Sequence, residues 1–182
     1  QRLLTRERKK AIKELEKKEG RRVIVLIHRQ ELFSLLGLPF FRFITMEDSE
    51  QILRAIHKTK KEDPIDLIIH TPGGLVLAAT QIAKALQAHQ GKVRVIIPHY
   101  AMSGGSLIAM AADEVIMHPN AVMGPMDPQI GRFPAASILR AVERKPLNKI
   151  DDQTLILADQ AKMAIDQLEA LLFDLLQQNL EK

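Results

Sequence analysis

Two apolar runs in this chain, Ile65-Asp66-Leu67-Ile68-Ile69 and Val93-Arg94-Val95-Ile96-Ile97, each lead into a glycine-bearing turn and then into a helical pattern. Runs of this kind suit strands buried on both faces, and strands separated by helices pair in parallel through crossover connections. Val23-Ile24-Val25-Leu26-Ile27 supplies another such strand, and Glu114-Val115-Ile116-Met117 a short one. Helical patterns are expected at about residues 46–60, 75–89, 107–112 and 135–143, and a long one from Asp151-Asp152 to about Asn179. The expected fold class is α/β with a mainly parallel sheet.

The two turns carry the chemistry. In Tyr100-Ala101-Met102-Ser103-Gly104-Gly105-Ser106, Ser103 stands where a strand gives way to a helix. Such a turn exposes a hydroxyl while the free N–H groups of the helix start face it, so a nucleophile and an oxyanion donor arise in one piece. Serine before a helix is more often only an N-cap. The second turn, His70-Thr71-Pro72-Gly73-Gly74, closes another strand. Ligands of open α/β sheets bind beyond the carboxyl ends of the strands, so the two turns are expected to face each other across a crevice. Gly73 and Gly74 permit close backbone approach, which lets a main-chain N–H point at a substrate oxygen.

Composition narrows the chemistry further. The chain has 182 residues, 46% of them hydrophobic, enough for one domain with a sizeable core. It has no cysteine, so any nucleophile must be a hydroxyl. Its histidines, His28, His57, His70, His89, His99 and His118, contain no pair at the spacing of a helical zinc site, and no metal is expected. No apolar run approaches the ~18 residues of a membrane span, and no signal-peptide pattern is present. Residues 1–22 hold ten Lys/Arg and four Glu, while the whole chain nets +4. They read as a basic helical arm with Leu3, Leu4, Ile12 and Leu15 as a thin apolar stripe. No aromatic residue is interleaved with that charge, so nucleic acid is not the expected partner; a juxtamembrane position facing anionic lipid is preferred. Between the first strand and the helix opening at Met46, Phe33, Phe40, Phe41 and Phe43 are expected as core or as a wall for apolar side chains. Residues 122–131 are too rich in proline and glycine for regular structure and are expected to line the site as a loop.

Thr71-Pro72-Gly73-Gly74, Ala101-Met102-Ser103-Gly104-Gly105-Ser106, Ala111-Ala112-Asp113-Glu114-Val115-Ile116 and Pro119-Asn120-Ala121-Val122-Met123-Gly124-Pro125, in that order, resemble the Clp/crotonase superfamily. Within it the chain looks most like the serine dehydrogenase proteinase family, related to signal peptide peptidase A. The resemblance covers about residues 20 to 170 and implies a ββα spiral fold, a Ser-Lys serine endopeptidase and a homo-oligomer. With the arm read from its charge at 1–22, the chain is expected to continue as a Clp/crotonase-like peptidase domain at 23–182. The resemblance also implies a membrane anchor ahead of residue 1, this stretch being the soluble domain of a membrane-associated protein that cleaves apolar or membrane-associated segments. The dehydrogenase in the family name finds no counterpart: there is no GxGxxG after a strand and no mark of a pyridoxal-phosphate site, so no cofactor is expected.

Carried over residue by residue, Ser103 becomes the nucleophile, and the N–H of Gly104 with that of Gly73 or Gly74 becomes the oxyanion hole. Clp-type members place a histidine shortly after the proline loop, but Gly124-Pro125-Met126-Asp127 has none, and His99 or His118 would need a different geometry. The base is instead expected at Lys162, at the edge of the apolar face of the last helix, with position 163, a methionine here, as the alternative register. A lysine takes a proton only when neutral, which requires that it be desolvated. Lys145 and Lys149 are rivals in a segment expected to be solvated. Two other function classes stay open: a crotonase-like acyl-CoA enzyme, for which Asp127 is the one obvious acid, and a non-catalytic scaffold or nucleic-acid-binding protein using the basic arm.

Overall fold

Each apolar run forms its strand. In chain order α1 (Arg2–Glu19) precedes β1 (Arg22–Ile27), α2 (Met46–His57) precedes β2 (Ile65–His70), and α3 (Val76–Gln87) precedes β3 (Val93–Ile97). Then come β4 (Tyr100–Ala101), α4 (Gly104–Met110), β5 (Glu114–Met117) and β6 (Val122–Met123). The main sheet runs β1-β2-β3-β5 with every pair parallel, in a register that sets Ile24 beside Leu67, Leu67 beside Val95 and Val95 beside Val115. The structure is a computed structural model describing residues 2–28 and 43–180, and the chain divides into two units, Gln1–Gly124 and Pro125–Lys182. The phenylalanine stretch expected as core or wall, Phe33 with Phe40 and Phe41, lies outside the described residues; Phe43 is half-exposed.

In the first unit α3 packs against α2 and α4, and its Ala78, Ala79, Ile82, Ala83 and Leu86 are buried, as are Leu67, Ile69, Val93, Val95 and Ile97 of the inner strands. The alanines of α3 allow close approach to the neighbouring helices: a Cβ on Gly104 of α4 would stand 3.0 Å from Ala79 Cβ. The opposite, amino-terminal edge of the sheet is pinned by charge. Asp66 at the start of β2 is buried, and its carboxylate accepts from Arg21 Nε and from Arg94 Nε and Nη2 at 2.8 and 2.6 Å. Arg21 also donates to the carbonyls of Ile65 and Lys92, and Arg94 lies 3.7 Å from Glu19 of α1. Burial would raise the Asp66 carboxyl, but the hydrogen bonds and charges of Arg94 and Arg21 outweigh it and hold it below the ordinary carboxylate range.

Two local expectations are corrected. The serine helix begins at Gly104, three residues before the expected Leu107, because the turn is compressed into Ser103 itself. Residues 122–131, read as irregular, hold β6, which pairs with β4, and β7 (Gln129–Ile130). β7 forms a hairpin with β8 (Phe133–Pro134) around Gly131, at φ 62°. Two-residue strands leave no periodicity to read; partners distant in sequence define β6. β5 departs from its neighbours too: all four of its residues are exposed.

The second unit continues from that hairpin into α5 (Ala135–Glu143), a 3-10 turn at Leu147–Lys149 and α6 (Asp152–Leu180). Ala135, Ile138, Ala158 and Ala161 form its buried core, with Ile130, Leu139, Val142, Leu157 and Ile165 packed around them. Small residues on both helices again permit close approach.

Candidate active site

Ser103, separated from the end of β4 by Met102 alone, caps α4 with φ 50° and ψ −117°. Among the described residues it is the one non-glycine with positive φ. Such a conformation costs on the order of 1–3 kcal/mol in an L-residue and persists only where the surroundings impose it. The imposing contacts are main-chain. Thr71 N donates to the Tyr100 carbonyl at 3.1 Å, and Met102 N to the Thr71 carbonyl at 3.0 Å, so the end of β2 grips β4 just ahead of the serine. On the far side Gly105 N donates to Met102 O at 2.8 Å and Leu107 N to Ser103 O at 3.1 Å. No hydrogen bond engages the Ser103 hydroxyl among the described residues.

The two glycine turns meet. A Cβ on Gly73, whose φ is 105°, would fall 2.7 Å from Ser103 Cβ and 2.8 Å from Met102 O, so no side chain fits there. A Cβ on Gly74 would strike the backbone of Ile44 at 2.3 Å, and one on Gly104 would stand 3.6 Å from Gly74 N. Of the three expected oxyanion glycines, Gly73 commits its N–H elsewhere, to Thr71 Oγ1 at 3.2 Å. Its carbonyl accepts from Ile44 N at 2.7 Å. In a trans peptide the N–H points opposite to the carbonyl, so Gly74 N–H is turned away from Ile44. Gly104 opens α4, where helical N–H groups have no internal acceptor. Among the described residues neither Gly74 N–H nor Gly104 N–H has a recorded partner. A strained serine beside two uncommitted N–H donors is an arrangement suited to forming and stabilising a tetrahedral oxyanion.

Ser106, one turn later, is different in kind. It is buried, and its hydroxyl lies 2.7 Å from the Gly124 carbonyl and 3.0 Å from that of Ala101. Its place is structural, tying α4 to the chain after β6.

Lys162 lies on α6, in the second unit, with Nζ 3.0 Å from Asp166 Oδ1 and both side chains more than half exposed. Met163 is exposed as well, while Ala158 and Ala161 turn into the core of that unit. Lys145 and Lys149 are exposed around the 3-10 turn, as the flanking Pro146 led us to expect. Asp127 is half-buried ahead of the hairpin.

Sequence reasoning missed three residues. His28, just after β1, is buried with Nδ1 2.8 Å from Thr71 Oγ1 and Nε2 3.4 Å from Asp48 Oδ2. Asp48 also closes a capping box with Thr45, accepting from Thr45 N at 2.8 Å. The available signal was positional: His28 and His70 both end apolar strands, and their backbones pair, His28 N donating to His70 O at 2.8 Å. The other face of the same edge carries a ring cluster in which His70 stacks on His99 with centroids 5.4 Å apart and meets Tyr100 at 4.2 Å. Burial first, then the charges of His99 and His28, hold His70 below the ordinary imidazole value.

A family model described as ClpP-like SDH-type serine proteinase matches residues 1–182. The chain belongs to that family. Its α/β fold with a mainly parallel sheet is thereby the ClpP-like one. An uncharacterised protein of Methanocaldococcus jannaschii is 63% identical over 169 residues, which is 93% of this chain and 59% of that protein; the chain thus spans well under two thirds of this relative. A probable protease, SohB of Haemophilus influenzae, is 34% identical over 79 residues, 41% of this chain and 22% of that one. Among solved structures, a point mutant of ClpP1 from Listeria monocytogenes matches 60% of this chain and 58% of its own at 20% identity, with a TM-score of 0.46. No helix among the described residues is long and apolar enough to cross a membrane.

Proposed function

We propose that the protein is a serine endopeptidase in which Ser103 attacks the scissile carbonyl and the N–H groups of Gly74 and Gly104 stabilise the resulting oxyanion. The observation that carries this reading is the conjunction at one sheet edge of a serine at φ 50° with two uncommitted main-chain donors. Membership in a serine proteinase family favours it over the acyl-CoA and scaffold readings. Lys162 is proposed as the general base. In the single chain its ammonium is solvated and paired with Asp166, so the assignment requires that assembly or substrate shield it and release that pair. Substrates are proposed to be apolar or membrane-associated polypeptide segments, because Leu75, Val76 and Leu77, which follow Gly74 directly, are about half or more exposed. Homo-oligomerisation and attachment to a membrane through chain outside these residues belong to the same proposal.

The test is covalent. The protein is incubated with a serine-directed fluorophosphonate and the adduct located by peptide mass spectrometry. An adduct at Ser103 in the wild type, and none in Ser103→Ala, is the expected result. An unmodified protein under conditions that label a control hydrolase, in the assembled state, sinks the nucleophile assignment. Lys162→Ala should abolish peptide turnover and Met163→Lys should not raise it; the reverse pair of outcomes would move the base to position 163.

A further inference from the structure

The residues beneath the Gly73-Gly74 turn are joined in series by an ion-pair contact and two hydrogen bonds. The Asp48 carboxylate lies 3.4 Å from His28 Nε2, an ion-pair contact, and its charge favours the tautomer that carries the imidazole proton on Nε2. His28 Nδ1 is then the acceptor, and the Thr71 hydroxyl, 2.8 Å away, donates to it. With its proton spent, Thr71 Oγ1 offers lone pairs, and Gly73 N–H donates to it at 3.2 Å. The alternative acceptor for the Thr71 proton, Gly73 O, lies farther off at 3.4 Å. Thr71 is fully buried and His28 nearly so, and aligned bonds in such a setting polarise one another. Asp48 itself is fixed by Thr45 N and Thr45 Oγ1, at 2.8 and 2.7 Å.

We propose that His28 and Asp48 are positioning residues that, through the Thr71 hydroxyl, hold the Gly73 peptide so that Gly74 N–H is the donor presented to the oxyanion. This rests on the proposed role of Gly74. Thr71 withdraws the Gly73 N–H from the crevice, and Ile44 N holds the Gly73 carbonyl at 2.7 Å, which aims the next N–H away from Ile44. The hydroxyl is the replaceable part: the Thr71 methyl lies where a Cβ on Gly105 would approach to 2.6 Å, so Thr71→Val keeps the packing and deletes the bond. Thr71→Ser keeps the bond and trims the packing.

The test has a spectroscopic arm and a kinetic arm, both on the full chain. With nine glycines and six histidines in the chain, selective ¹⁵N-glycine and ¹⁵N-histidine labelling gives few resonances. At about pH 8, where an ordinary imidazole is neutral, His28 should show a protonated Nε2 and a bare Nδ1. Gly73 should exchange its amide slowly and Gly74 quickly. Thr71→Val should accelerate Gly73 exchange at least tenfold and Thr71→Ser should restore it. In the kinetic arm, Thr71→Val and His28→Leu should slow fluorophosphonate labelling of Ser103 and kcat by about 10- to 100-fold, with KM within about twofold, since a misaimed donor acts on the transition state. Thr71→Ser should recover most of the loss.

Equal Gly73 exchange in wild type and Thr71→Val, or a His28 proton on Nδ1, overturns the relay whatever the activity. Accelerated Gly73 exchange in Thr71→Val with unchanged labelling of Ser103 overturns its catalytic role. A wild type that shows the expected exchange and tautomer but is never labelled at Ser103 leaves the hydrogen-bond chain standing, fails the nucleophile reading, and with it the positioning role.

Discussion

Ser103 and Ser106 are three residues apart and stand in opposite settings, one strained with no hydroxyl partner among the described residues, the other buried and bonded. The strain at Ser103 makes a specific forecast: Ser103→Gly should abolish labelling and hydrolysis yet hold or raise stability, by up to about 1 kcal/mol, because glycine tolerates positive φ. A denaturant melt showing clear destabilisation would mean that the serine hydroxyl supports the fold. Ser106→Ala should do the reverse, costing about 1–2 kcal/mol through the unpaired Gly124 carbonyl while leaving Ser103 reactive towards the fluorophosphonate. The strand-to-helix turn at Ser103 was legible in the sequence because a β-branched run, a serine and two glycines stand in that order. Its positive φ was not, since position alone does not separate such a serine from an ordinary N-cap. Thr71, His28 and Asp48 were not: each is a residue type common at caps and strand ends, and what joins them is a contact across 43 positions for His28 and Thr71. Gly73 and Gly74 were read as alternative donors, which spacing alone cannot separate; in the structure their amides differ, that of Gly73 donating to the Thr71 hydroxyl.

At the scale of elements, the long strands and helices were read nearly to their ends because burial on both faces of a sheet, or on one face of a helix, repeats over enough residues to show. The short pairings β4–β6 and β7–β8 were lost because their stability comes from partners rather than from their own pattern. The edge that fastens α1 to the sheet makes a pH forecast. Asp66 is depressed in the folded state, so its stabilisation is complete above the unfolded carboxylate value of about 3.9 and is lost as pH falls through the lower folded value. The acid limb of stability should therefore flatten in Asp66→Asn, which should also be less stable at neutral pH because Arg21 and Arg94 lose their partner; an acid limb identical to wild type would remove this role. The basic face of α1 needs a gentler test than deletion, since Glu16 accepts from Arg22 at 2.7 Å and from Val23 N at 3.1 Å and truncation would disturb β1. Replacing the exposed Lys9, Lys10 and Lys13 with Gln should weaken binding to anionic vesicles in a salt-dependent way at unchanged melting temperature. Undiminished vesicle binding would detach the arm from any lipid role.

At the scale of the whole molecule, exposed apolar side chains stand, besides Leu75, Val76 and Leu77, on β5 and β6, with Val115, Ile116, Met117, Val122 and Met123, and on α6, with Ile156, Phe173 and Leu176. Patches of this kind mark interfaces. Sedimentation should show a homo-oligomer at micromolar concentration that dissociates in Phe173→Glu/Leu176→Glu; a wild-type monomer across that range would refute it. A last consequence comes from β2. It is paired on both sides, begins at the charge cluster of Asp66, and runs directly into Thr71 and the glycine turn. Opening that strand would release the two ends of the sheet in one event, so the Asp66 cluster and the turn beside Ser103 are expected to be lost together. Loss of Ser103 labelling on heating should coincide with loss of far-ultraviolet ellipticity and with exchange of the most protected amides, and a gap of several degrees between them would reveal a reactive edge that melts on its own.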